Sequence, residues 1–142
     1  MARRPFNTGR DCTLVFQGAD GTRIDMSRVT RFMADATDKL VRSEPMTSPP
    51  IQINLPNGWQ GSFELDRNGN GFDALIGRDE ATYWATGDFG TGDLFQFVSE
   101  PDGSTTTWHF VGISYKLKGG QWMSDGVVKQ TLEFVASQRI AV

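Results

Sequence analysis

The run from Leu94 to Gln138 constrains the fold most, because segments of alternating side chains are divided there by turn-forming clusters. Leu94 to Glu100 stops at Pro101-Asp102-Gly103-Ser104. Thr105 to Lys118, rich in β-branched and aromatic residues, stops at Gly119-Gly120. A loop holding Trp122 and Asp125-Gly126 then leads into Val127 to Gln138, with Val128, Leu132, Phe134 and Ala136 on one face. Period-two patterning broken by Gly, Pro and Asp specifies antiparallel strands joined by tight connections. The 16 Gly and 6 Pro among 142 residues exceed the roughly 12% usual in globular chains, which argues against a helix bundle.

The first half is less regular. Cys12 to Gln17 alternates, with Leu14 and Phe16 on one face, and Gly18-Ala19-Asp20-Gly21 closes it as a hairpin turn whose second arm runs from Thr22 into the thirties. Residues 35–56, interrupted by Pro45, Pro49 and Pro50 before Ile51, Ile53 and Leu55 alternate, are expected to form a projecting loop or hairpin, since each proline removes a ladder donor. Pro56-Asn57-Gly58 reads as a turn, and Trp59 to Asp66 as a half-buried strand. Asn70 can cap a helix over 71–86, with Asp73 at its third position and Gly87 past its end. Phe72, Leu75, Ile76, Tyr83 and Trp84 fall near one side of that helix. Gly77 costs it about 1 kcal/mol relative to Ala, so it should depend on packing against a sheet. Residues 1–11, with Phe6 their one large apolar group, read as an arm.

These elements make one domain over 1–142, mainly β: a two-sheet β-barrel or sandwich with one flanking helix, a projecting segment and an N-terminal arm. One strand does not fit a sheet buried on a single side. Thr105 to Leu117 carries Trp108 and Phe110 on one face and Val111, Ile113, Tyr115 and Leu117 mostly on the other. Its second face packs under the helix, or a bulge shifts the phase near Gly112, or another subunit covers it.

Composition removes several classes of function. A net charge of −3 gives no support for wrapping nucleic acid, which needs a dense basic surface. The charge is nonetheless uneven, net +3 over residues 1–42 and net −6 over 43–142, so copies of the chain can attract one another. A single cysteine, Cys12, makes no internal disulfide and fits a reducing compartment. Met1-Ala2-Arg3-Arg4 is followed by polar, turn-forming residues where a secretory signal needs an apolar stretch, and no run suits a bilayer crossing.

The motifs point away from catalysis. Asp66-Arg67-Asn68-Gly69-Asn70-Gly71 matches the first half of a calcium-binding loop, but Gly77 stands where the bidentate Glu should be. His109 is the only histidine, so neither a zinc set nor a nucleophile with a histidine base is legible, and no cofactor is expected. Trp59, Trp84, Trp108 and Trp122 could stack on sugars if exposed. Those in strands or the helix are better read as core, and Trp122, between glycines, as a contact to a partner.

Taken in order along the chain, several motifs resemble the tail tube protein of contractile-tailed bacteriophages. They are Phe6-Asn7-Thr8-Gly9-Arg10-Asp11, Asn57-Gly58-Trp59-Gln60-Gly61-Ser62-Phe63-Glu64-Leu65-Asp66-Arg67 with the helix after it, and Val127 to Phe134 closing in Ala136-Ser137-Gln138-Arg139. The resemblance implies a structural, non-enzymatic virion protein assembled in the host cytoplasm as hexameric rings stacked head-to-tail. It also implies a surrounding tail sheath protein, baseplate and tail terminator partners, and a lumen through which DNA passes without tight or specific binding. A secreted tube protein of a type VI-like system shares that fold; a carbohydrate- or receptor-binding β-module is the alternative from another class.

Within that frame, the segments with too little periodic apolar surface to pack on their own domain become candidate inter-subunit contacts: Arg3, Arg4, Phe6, Arg10, Leu40, Val41, Arg42, Met46, Ile51 and Ile53, together with Trp122. Residues 64–102 carry nine acidic groups against Arg67 and Arg78. Of these, Asp73, Asp79, Glu80 and Asp88 on and after the helix are the candidate sheath-facing set. Exposed ion pairs contribute only about 0 to 1 kcal/mol each, which suits a contact that must grip and release.

Overall fold

The computed structural model of the chain describes residues 5–18, 21–24, 26, 28–67, 69–88, 90–118 and 122–142. After a 3-10 turn at Gly9–Asp11, the strands are β1 (Cys12–Gln17), β2 (Arg23–Ile24), β3 (Val29–Ser43), β4 (Ile51–Asp66), β5 (Gly92–Ser99), β6 (Thr105–Lys118), β7 (Lys129–Ala136) and β8 (Gln138–Ala141). One helix, α1 (Gly71–Thr86), interrupts them between β4 and β5. All pairings are antiparallel, in the order β2-β1-β5-β6-β7-β4-β3, with β8 added to β6.

Two half-sheets share β6. Its first part pairs with β5 and β8, from Thr105 to Ile113, and its last part, Ser114 to Lys118, pairs with β7. The transfer happens at Gly112, whose φ of +65° suits glycine. A Cβ there would also overlap the Ser137 side chain. Phe110 to Ile113 advances three positions along β6 while the paired Leu94 to Gly92 advances two along β5, so a bulge occupies this point. The two-faced apolar pattern of the strand is thereby explained. Phe110 and Ile113 are both buried although they lie an odd number of residues apart.

The core lies between the half-sheets. Leu14, Phe16 and Leu94 from one side meet Phe63, Leu65, Leu132 and Phe134 from the other, with Phe110 and Ile113 at the shared strand. Phe16 packs edge-on against Phe72 of α1 and Tyr115 of β6, and Phe63 lies tilted against both Phe72 and Phe134. A second aromatic group closes the core beyond Phe110. The Arg139 guanidinium lies 3.9 Å from the Trp59 ring centre and 3.6 Å from that of Trp108, tying β8 to both halves.

Several expectations change. The arm after the first turn is only the two-residue β2; the chain then leaves β1, and β3 pairs with β4 instead. Pro56-Asn57-Gly58 is not a turn but part of β4, which begins at Ile51. Long-range pairing with β3 outweighs the local turn preference there, at the cost of a bulge: Ala36 pairs with Trp59, but Asp38 pairs with Pro56. The alternation from Val127 to Gln138 is not one strand: Ser137 interrupts it, and β8 follows on β6. Finally, α1 buries only its first half: Phe72 and Leu75 are in the core, while Tyr83 and Trp84 are exposed.

Candidate assembly interface

β3 and β4 run far past the rest of the barrel. β7 supports β4 only from Trp59 to Asp66, yet β3 and β4 stay paired out to Ser43 and Ile51. At about 3.4 Å per residue, this hairpin extends roughly 25 Å beyond its last supported pair. On one face Val41, Ile53, Leu55 and Ile51 form an apolar stripe, with Val41 directly opposite Ile53; Leu40 and Arg42 lie on the other. Ile51 and Ile53 are more than half exposed, as is Leu40. Met46, in the connection, is fully exposed. Isolated two-stranded hairpins are marginal in water, so this element presents apolar surface that its own domain leaves uncovered.

The seam between the outer strands is open as well. Among the described residues β3 pairs only with β4, and β1 is covered on its outer edge only at Phe16 and Gln17, by β2. Between them lies an open groove of about 1080 Å³, lined by Arg10, Cys12, Leu14, Met26, Val29 and Phe32 among others. The arm approaches this groove in a fixed conformation. Asp11 is buried and its carboxylate accepts from the Thr8 backbone N–H at 2.9 Å, while Asn7 donates to Glu100. Residues 7–11 are thus tied to their own domain, which the sequence reading did not anticipate; Phe6 is exposed, and Arg3 and Arg4 lie outside the described residues.

The outward face of β3, β4, β7 and β6 is ionic and nearly self-neutralising. Lys129 reaches Asp66 at 3.0 Å and Glu64 at 3.7 Å, Lys118 reaches Glu133 at 2.8 Å, and Arg31 lies 3.9 Å from Glu64. Hydrogen bonding to Asp66 raises the Lys129 pKa, and hydrogen bonding from Lys118 lowers that of Glu133.

The acidic residues of the helix divide into two groups. Asp73 accepts from Arg67 at 2.8 Å and from Gln130 at 3.0 Å, and Asp79 accepts from the Tyr115 hydroxyl, so both carboxylates turn toward the barrel. Glu80 and Asp88 are exposed, with no ion pair among the described residues. The helix pattern alone could not separate the groups, because Tyr115 and Gln130 arrive from distant strands. Trp122 is exposed, with the Arg67 guanidinium 5.1 Å from its ring centre. Among the described residues no three His, Cys, Asp or Glu side chains converge as a metal site, and no helix is long and apolar enough to cross a membrane.

No family model and no curated protein sequence matches the chain. Solved structures do. Over its whole length the chain superposes with a TM-score of 0.71 on a chain from the tube-terminating cap of the anti-feeding prophage, covering 93% of that chain at 10% identity. A chain of the extended sheath–tube complex of the extracellular contractile injection system PVC aligns with a TM-score of 0.60 and 10% identity, over 91% of this chain and 87% of the other. The SPP1 tail tube aligns with a TM-score of 0.61 and 12% identity, over 94% and 77%. The chain has the tail-tube fold.

Proposed function

We propose that this chain is a structural tube subunit, assembling into hexameric rings that stack head-to-tail as the inner conduit of a contractile tail and deliver a viral genome. What carries the reading is a conjunction: likeness to chains of tube-bearing assemblies over nine-tenths or more of its length, together with an apolar hairpin left uncovered by its own domain. An element that reaches far from its barrel and meets a different surface on the next copy makes a heterologous contact, and such contacts repeat along an axis.

In this assembly Leu40, Val41, Arg42, Met46, Ile51 and Ile53 of the hairpin contact a neighbouring copy, as do Arg3, Arg4, Phe6 and Arg10 of the arm and Trp122. The helix faces the sheath, chiefly through Glu80 and Asp88, with Asp73 and Asp79 holding it on the barrel. Baseplate and terminator proteins bind the tube ends. The self-neutralised face bearing Lys118, Lys129, Glu64 and Glu133 suits a channel wall, since paired cations release few counterions and do not retain a sliding polyanion. The particle is a virion tail assembled in the host cytoplasm. A type VI-like secreted tube would use the same surfaces with a different cargo. The carbohydrate-module alternative loses two of its four tryptophans, because Trp59 and Trp108 enclose Arg139.

Negative-stain imaging of the purified chain tests the proposal. Rings about one subunit thick, or tubes built from them, are the expected result; uniform monomers or compact trimers at all concentrations would overturn it.

A further inference from the structure

The motif Ala136-Ser137-Gln138-Arg139 closes on a cation that its own chain does not neutralise. Arg31, Arg42 and Arg67 each reach a carboxylate, on Glu64, Glu44 and Asp73 respectively. Arg139 lies instead between Trp59 and Trp108, and among the described residues no ion pair or hydrogen bond engages its guanidinium. Arg10, Arg23 and Lys39 also lack a carboxylate, but they are exposed and water solvates them. Arg139 is half-buried, and that burial lowers its pKa. With an indole on either side, its N–H donors are left at the edge of the guanidinium plane, the direction from which a carboxylate bonds bidentately. The acceptors are few as well. Asp35, Asp38, Glu80, Asp88 and Asp125 are the described carboxylates with neither an ion pair nor a side-chain hydrogen bond. Of these, Asp38 alone lies on the part of the hairpin that extends past the barrel, since it pairs with Pro56 while β7 supports β4 only from Trp59. Glu44, further out, is held by Arg42 at 3.2 Å.

We propose that the free edge of Arg139 receives the Asp38 carboxylate of a second copy of the chain, so that the clamp of Trp59 and Trp108 holds one half of an inter-subunit ion pair. The inference rests on the tube reading and names what seats the hairpin of one copy on the barrel of another. Charge complementarity argues for the pairing, and the fixed guanidinium plane argues that little entropy is lost when the carboxylate arrives. The other four unpartnered carboxylates are poorer sources. Asp35 pairs across with Gln60 in the supported part of the sheet, Glu80 belongs to α1, Asp88 follows it, and Asp125 lies in the loop before β7, so each stays with the body of its own domain.

The probe is a synthetic peptide of residues 35–56, which holds no tryptophan, so the tryptophan emission of the full chain reports its binding at a concentration where the chain is monomeric. Arg139→Met in the chain should weaken binding about tenfold, and Asp38→Asn in the peptide should do the same. The two changes together should be no worse than either alone, and Arg139→Lys should restore only part of the loss. Unchanged affinity after either single change, or losses that add, would overturn the inference. In assembly, chains carrying Arg139→Met or Asp38→Asn should each need about ten times the wild-type concentration to form rings or tubes. Asp38→Asn leaves the aromatic clamp intact, so its effect cannot come from a damaged barrel. Assembly of both variants at the wild-type concentration would overturn the pairing and leave the tube reading in place. Wild-type protein that binds the peptide through Arg139 yet forms neither rings nor tubes would remove the tube reading and leave the pairing standing.

Discussion

The inner and outer parts of β4 are one continuous strand in two environments. From Trp59 to Asp66 it is flanked by β3 and β7, and Phe63 and Leu65 are buried under the opposite half-sheet and α1. From Ile51 to Gly58 it has β3 alone, and Ile51, Ile53 and Leu55 remain in solvent. Both parts alternate and both carry large aliphatic or aromatic groups. Apolar alternation therefore specifies a strand, while what the strand buries depends on which elements lie above and beside it.

The largest difference between the two parts should appear in stability. Phe63→Ala empties a site that is 1% exposed and should cost about 3–5 kcal/mol, measured by urea denaturation at a concentration where the chain is monomeric. Ile53→Ala in the outer part should change the same measurement by no more than about 0.5 kcal/mol, yet suppress ring or tube formation by negative stain. A large loss of monomer stability from Ile53→Ala would mean that the hairpin packs on its own domain.

The junction should be sensitive to an intermediate degree. Gly58 has φ +94°, and a Cβ there would lie 2.6 Å from the Ala136 carbonyl oxygen, so Gly58→Ala should cost about 1–3 kcal/mol by thermal unfolding. Gly69→Ala, where a Cβ would meet nothing within 4 Å, is the control and should stay near wild type.

A smaller effect is expected where β8 closes the barrel. Arg139→Met keeps much of the side-chain volume but removes the guanidinium from Trp59 and Trp108, and should cost about 1 kcal/mol, with a change in tryptophan fluorescence. The Lys118–Glu133 pair should give the smallest. The Glu133 pKa is lowered by hydrogen bonding from Lys118, so the pair's contribution is present above the ordinary carboxylate pKa and is lost as pH falls through the lowered value. Lys118→Met should flatten that slight acid dependence in denaturation midpoints measured between neutral and acidic pH; an unchanged profile would show that the exposed pair is energetically silent.

Legibility from sequence followed the same division. The helix was marked at its ends, by Asn70 before it and by Gly87, whose φ of +78° and N–H bond to the Tyr83 carbonyl close the last turn. Its face was misread: Tyr83 and Trp84 share the spacing of Phe72 and Leu75, yet they are exposed while Phe72 and Leu75 are buried. Residues 35–56 were legible as a projecting loop or hairpin, since the prolines argue against a central strand, and it is the pairing of Asp38 to Ser43 with Pro56 to Ile51 that makes the segment a regular hairpin. Among candidate contacts, the exposure of Met46, Ile51, Ile53 and Trp122 agrees with sequences that offer them no local apolar partner. Asp73 and Asp79 could not be told from Glu80 and Asp88, since their partners Gln130 and Tyr115 are more than thirty residues away.

What the sequence determined by itself is local: the period of each strand, the turn at Pro101 to Ser104, the ends of α1, although the Asn70 side chain makes no capping hydrogen bond, and a bulge near Gly112 as one way to reconcile two apolar faces. These follow from backbone sterics and side-chain alternation, which act over a few residues. Tertiary structure decided that β6 serves both half-sheets, that Arg139 lies between Trp59 and Trp108, and that Trp84 is left in solvent. Each of those outcomes depends on groups far apart in the chain, whose meeting is set by the summed burial of the whole core and not by the preference of any one segment.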